Sequence, residues 1–156
     1  MSIFNNVSLG FHLVHGTSST VDVWSWDGAE LVRHALTPGD HIIVNDGVDS
    51  PRDPLVPHFA PLFAAVPDPP LDGPALDGAS TEKAWGAWVD LLRGDRLPPD
   101  DPRALLIRAE HDGRRYGSGS LALVGIGADG VRYDFSGTPF SPQWMTVVPA
   151  APDVTG

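Results

Sequence analysis

Eight prolines crowd one short stretch of this chain: Pro51, Pro54, Pro57, Pro61, Pro67, Pro69, Pro70 and Pro74. Proline has no N–H to give to a ladder and fixes its own φ, so this stretch cannot hold long strands. Only short helices fit. The spacing predicts one starting at Asp53-Pro54, with Val56, Phe59, Leu62 and Phe63 on its apolar face. Asp68 to Gly78 reads as a loop. Ser80 then caps the strongest helical pattern in the sequence, Thr81 to Arg93, where Trp85, Trp88, Val89 and Leu92 recur at helical spacing and Gly94 supplies a stop.

The segments on either side read as strands. Phe11 to His15, Val21 to Trp26 and Glu30 to Leu36 are short β-type runs separated by turn residues, and Asp27-Gly28 predicts a two-residue type I′ turn. Val21, Val23 and Ser25 share one face of their strand, with Asp22, Trp24 and Trp26 on the other. Thr37 to Asp40 is a further turn, and His41 to Asn45 a mostly apolar strand. Beyond the helices, strands are expected over Ala104 to Glu110 (with a helical turn at Asp101-Pro102 as the alternative), Ser120 to Ile126, Val131 to Phe135 and Met145 to Val148. Asp112-Gly113 and Asp129-Gly130 mark two more hairpins. The expectation is an α+β fold of antiparallel strands and hairpins with short central helices.

A chain of 156 residues buries roughly two-thirds of its unfolded surface, enough for one core. A single domain over residues 1–149 is therefore expected, with residues 150–156 a disordered tail. Ten basic against twenty acidic residues give a formal charge of −10, which repels phosphate backbones and anionic lipid headgroups. Nucleic acid and membrane insertion are accordingly not expected, and a cytoplasmic location is. The absence of cysteine removes disulfides, thiolate metal sites and cysteine nucleophiles together.

Gly125-Ile-Gly127-Ala-Asp-Gly130 matches the letters of a dinucleotide fingerprint. That motif works where a strand gives way to a helix whose N-terminus meets the pyrophosphate, whereas Val131 to Phe135 continues as a strand; a hairpin turn is the expected reading. The six histidines include His12 and His15, whose offset of three places them on opposite faces of a strand, so no metal site is expected. Trp85 and Trp88 belong to a helical stripe that must bury itself, and core packing accounts for them more simply than a ligand pocket.

Two local clusters are the candidate ligand site. The first is a strand end running into a polar loop, with Asn45, Asp46 and Asp49. The second is Tyr116-Gly-Ser118-Gly-Ser120, small residues that let backbone approach a ligand. Turn chemistry is the alternative for both.

These clusters, with the Trp helix between them, resemble the NRDE family, also called the transport and Golgi organisation protein 2 family. The resemblance runs from Phe11-His-Leu-Val14 through Leu36-Thr-Pro-Gly-Asp-His-Ile-Ile-Val-Asn45 and Val56-Pro-His-Phe-Ala-Pro-Leu-Phe63. It resumes with Tyr116-Gly-Ser-Gly-Ser-Leu-Ala-Leu-Val124 and the hairpin to Phe135, and covers about Phe11 to Val148. It implies an N-terminal-nucleophile hydrolase-like αββα sandwich. The family carries a Cys after the initiator Met and an Asn-Arg-Asp-Glu motif, and neither occurs here. The resemblance thus implies the C-terminal portion of such a protein, of undetermined molecular function and non-catalytic as the chain stands. Two alternatives accompany it. One is an amidohydrolase using Ser2, or a partner chain, as nucleophile. The other is a small-molecule module related to haem or lipid handling, haem being expected by resemblance only. Sheet surface left uncovered would favour a homo-oligomer.

Overall fold

The computed structural model describes residues 10–70, 78–127 and 130–147. The expected tail and Ser2 lie outside the described residues. Among the described residues the architecture is mixed α+β, with antiparallel strands in four small sheets and short helices. The chain divides into two compact units, Met1–Ala60 and Pro61–Gly156.

In the first unit, β1 (Phe11–Gly16), β2 (Val21–Trp26) and β3 (Leu31–Ala35) form an antiparallel meander. Both connections are four-residue loops closed by the side chain of their first residue. Thr17 Oγ1 accepts from the Ser19 and Thr20 amides, and Asp27 Oδ1 accepts from those of Ala29 and Glu30, each at 2.8 Å in the second loop. The Asp27 carboxylate, rather than the backbone alone, organises this corner. The two-residue type I′ turn expected at Asp27-Gly28 is therefore corrected, because Trp26 pairs with Leu31. The face carrying Phe11, Leu13, Trp24, Trp26 and Leu31 stays partly open, with Leu13 57% exposed.

The apolar run at His41 yields only a two-residue strand, β4 (Ile43–Val44), paired with β5 (Gly47–Val48) across an Asn45-Asp46 turn. The strand is shorter than expected because the Asp49 side chain holds the Ile42 amide at 2.8 Å. Helix α1 (Leu55–Ala64) starts as predicted, with Asp53 accepting from the Leu55 amide and with Val56 and Phe59 buried.

The second unit contains α2 (Thr81–Trp85) and α3 (Ala87–Leu92) in place of the single helix expected from Thr81 to Arg93. Gly86 separates them at φ 54°, ψ −127°, a conformation essentially closed to residues with a Cβ. Ser80 caps α2 as expected, accepting from the Lys83 amide. The hairpin of β6 (Arg108–His111) and β7 (Arg114–Gly117) turns through Asp112-Gly113, both at positive φ (51° and 72°), as a type I′ turn requires. Residues 104–107 are not strand, since Asp101 organises a turn there by accepting from the Arg103 amide. Strands β8 (Leu121–Gly127), β9 (Gly130–Ser136) and β10 (Met145–Val147) complete a sheet in the order β10-β9-β8. The dinucleotide-like motif spans the β8–β9 hairpin, where Gly127 pairs with Gly130, so no helix follows it.

Ala84, Trp85, Val89 and Leu123 form the apolar core of this unit, with Trp88, Leu92 and Trp144 packed against it. Trp88 also meets the Phe63 ring edge-on at 5.3 Å.

Candidate functional site

The Asn45–Asp49 cluster resolves into a clamp at the base of the β4–β5 hairpin. His41 Nδ1 donates to Asp49 Oδ2 at 2.6 Å, and His41 Nε2 donates to the Thr37 carbonyl at 2.9 Å. With an acceptor on each ring nitrogen, the doubly protonated imidazolium is the form that satisfies both bonds. The Asp49 bond, helped by the Thr37 carbonyl, raises the His41 pKa above its ordinary value. Burial works against the Asp49 charge, but the His41 and Ile42 bonds outweigh it and hold that carboxyl below the usual range. Asp49 sits at φ 51°, an uncommon conformation that the clamp holds in place. Asp46 is exposed and pairs with Arg52 at 3.2 Å, and the Asn45 carbonyl faces His12 Nε2 at 3.3 Å. His12 Nδ1 in turn meets Ser25 Oγ at 2.8 Å. These groups are occupied in holding the hairpin, and they fit the turn reading better than a ligand site.

The Tyr116–Ser120 cluster has a different setting. Tyr116, Gly117, Ser118 and Gly119 line an open cleft of about 650 Å³, together with Ile107, Arg108 and Arg115 and the loop Gly137–Ser141. Ser120 is exposed and does not line it. Two local features build the wall. At Gly117 the backbones of the hairpin approach so closely that a Cβ would meet the Ile107 carbonyl oxygen at 2.5 Å, so glycine is required. Ser118 then stitches the strand to its neighbour, its amide donating to the Ile107 carbonyl and its Oγ accepting from the Ile107 amide at 3.1 Å. The opposite rim is held by Thr138, whose hydroxyl donates to the Ser141 carbonyl at 2.8 Å.

The cleft is cationic in an acidic protein. The Arg108 guanidinium lies over the Phe140 ring, 4.3 Å from its centroid. Arg108 and Arg115 make no ion pair with any described residue, whereas Arg33, Arg52, Arg93, Arg103 and Arg132 are each paired to an aspartate. Among the described residues no carboxylate or imidazole lines the cleft. The described lining thus offers charge, hydroxyls and two aromatic rings, with no general base beside a nucleophile. Tyr116 is the one described lining side chain of a type that ligates haem iron.

A buried ionic centre stands apart from the cleft and was not legible in the sequence. Asp134 on β9 is wholly buried. Its Oδ1 accepts from Thr81 Oγ1 at 3.1 Å and Thr146 Oγ1 at 2.6 Å, and its Oδ2 from Trp85 Nε1 at 2.6 Å. Arg132, 2% exposed, donates to both oxygens, through Nε at 2.5 Å and Nη2 at 3.1 Å, and also to the Ala79 carbonyl. Burial opposes the Asp134 charge, but the bonds from Arg132, Thr146, Trp85 and Thr81 outweigh it and lower the pKa. Every lone-pair direction is engaged, so the centre ties α2 to β9 and β10 and leaves no group free for chemistry. The period-2 pattern of β9 hid it, because Arg132 and Asp134 occupy positions that alternation alone would assign to a solvent face.

Among the described residues no group of three or more histidine, aspartate or glutamate side chains is placed to hold a metal ion, and no helix is long and apolar enough to cross a membrane. No protein-family model matches this sequence, nor does any curated protein or solved structure.

Proposed function

We propose that this chain is a small-molecule-binding module whose ligand site is the cleft between the β6–β7 hairpin and the Gly137–Ser141 loop. The observation that carries the reading is the convergence of the Tyr116–Gly119 backbone, two arginines without an ion pair among the described residues and an aromatic ring on one cleft of about 650 Å³. Cavities of this size suit metabolite-sized ligands. Binding without turnover is the function such a lining supports, because no described histidine, carboxylate or lysine lines it beside Ser118, Thr138 or Ser141.

The NRDE resemblance belongs to the same proposal. Two antiparallel three-stranded meanders and a tryptophan-bearing helical segment accord with the later part of an αββα sandwich. Tyr116 and Ser118, which carry part of the resemblance, line the cleft, and this favours its small-molecule branch over its amidohydrolase branch.

The test is ligand-observed NMR with a panel of small metabolites against the wild-type chain and a Gly119→Trp variant. Gly119 is exposed, faces open space with nothing within 4 Å of where a Cβ would sit, and has no positive φ, so a tryptophan there fills the cleft without straining the fold. Ligands that bind wild type and are lost in the filled variant support the proposal. Ligands that bind both forms equally refute it.

A further inference from the structure

The β6–β7 ribbon places two positive charges side by side without a counter-ion among the described residues. Arg108 is opposite Gly117, and Arg115 lies two residues before Gly117 on the same face. Residues in this diagonal relation lie about 7–8 Å apart, with their Cβ atoms somewhat closer, within joint reach of one small group for two stems as long as arginine's. Gly117 contributes no side chain to the space between them. Like charges so placed repel one another, and the chain supplies Arg108 and Arg115 with no described ion-pair partner, although its formal charge is −10. Glu110 stands directly opposite Arg115 and forms no ion pair with it.

We propose that this face binds the phosphate group of a small phosphomonoester, bridged by the Arg108 and Arg115 guanidinium groups over Gly117. The inference rests on the cleft being the ligand site. Each guanidinium presents a planar fork that matches two oxygens of one anion. A phosphate monoester has three terminal oxygens and nearly two negative charges, enough to engage both forks; a carboxylate has two oxygens and satisfies one. The Phe140 ring, 4.3 Å from the Arg108 Cζ, restrains that guanidinium and reduces the entropy lost when the anion arrives. Gly119, with nothing within 4 Å of where a Cβ would sit, leaves room for the phosphate to approach the backbone. The remainder of the ligand is small enough to be held in a cleft of about 650 Å³.

Phenyl phosphate is the probe, titrated calorimetrically at low ionic strength beside benzoate and inorganic phosphate, with circular dichroism confirming that each variant is folded. Phenyl phosphate should bind more tightly than benzoate. Arg108→Ala and Arg115→Ala should each weaken it about tenfold or more, as loss of a charge-assisted hydrogen bond does. Glu110→Gln should tighten it, and Arg96→Ala, at an exposed arginine outside the cleft, should leave it unchanged. Equal weakening in all three arginine variants would mean a general charge effect and overturn the inference. So would wild-type affinity in Arg108→Ala and Arg115→Ala. If other compounds bind and are displaced by Gly119→Trp while phenyl phosphate does not bind, the phosphate assignment fails and the cleft reading stands; if nothing binds the wild-type chain, both fail.

Discussion

At the scale of single residues, the most consequential position is Asp134. A carboxylate with no solvent exposure survives in the core because five hydrogen bonds from four residues compensate its desolvation. Asp134→Asn would leave the Arg132 guanidinium buried without its counter-charge, and we expect a loss of about 3–5 kcal/mol in urea unfolding. Replacing both, as Arg132→Met with Asp134→Leu, strands no charge but removes the acceptor of the Thr81 hydroxyl and Trp85 Nε1, and its loss should be no larger than that of Asp134→Asn. A loss under about 1 kcal/mol for Asp134→Asn would contradict the assignment of the network as an ionic one. His41 gives the pH-dependent counterpart. Its folded pKa is raised, so its contribution is complete below the unfolded value of about 6.5 and is lost as pH rises through the folded pKa. Asp49 has a depressed pKa, so its contribution is present above about 3.9 and is lost as pH falls through the folded value. The clamp is therefore tightest between those two limits. An NMR titration of the His41 ring should give a midpoint above about 6.5 that Asp49→Asn lowers; a midpoint at or below the free value, unchanged by the substitution, would rule the clamp out.

At the scale of elements, Gly86 decides the shape of the tryptophan-bearing segment. The apolar spacing of Trp85, Trp88, Val89 and Leu92 is continuous, and it fixes which side is buried even though the backbone breaks within it. Gly86 closes α2 by donating to the Glu82 carbonyl at 2.9 Å and opens α3 from the same residue. Gly86→Ala would place a Cβ at φ 54°, ψ −127°, and we expect it to cost about 1–3 kcal/mol in thermal or denaturant unfolding. Stability equal to wild type would show that the segment can run as one straight helix. The break was not legible because a glycine inside a helical pattern is often tolerated, whereas the ends were: Ser80 at the start and Gly94 at the stop sit where their capping chemistry places them. Turns divided in the same way. Asp112-Gly113 forms the two-residue turn its residues favour, while at Asp27-Gly28 the Asp27 carboxylate captured two amides and widened the loop to four residues.

At the scale of the whole molecule, the fold class was legible and the site only half so. Alternating runs and turn dipeptides located the strands of both meanders, because side-chain period and turn chemistry are local properties. The cleft is not local. Tyr116 and Ser118 were visible as small-residue and aromatic punctuation, but Phe140 and the Gly137–Ser141 rim come from a separate stretch of chain, and only folding brings them to the β6–β7 hairpin. A signal was available in the charge distribution: three of the nine arginines fall within residues 108–115 of an acidic chain. Asn45, Asp46 and Asp49 looked equally suited to a ligand from sequence, and folding engages the Asp49 carboxylate with His41 and the Ile42 amide. We propose the cleft on the second unit as the place where this protein meets a ligand. Its most direct test is a ¹H–¹⁵N shift map recorded while phenyl phosphate is added. The amides of Gly117, Ser118, Gly119, Gly137 and Ser141 should move together and saturate, while those of β1 to β3 stay fixed. Shifts scattered over both units, or confined to the Asn45–Asp49 hairpin, would contradict it.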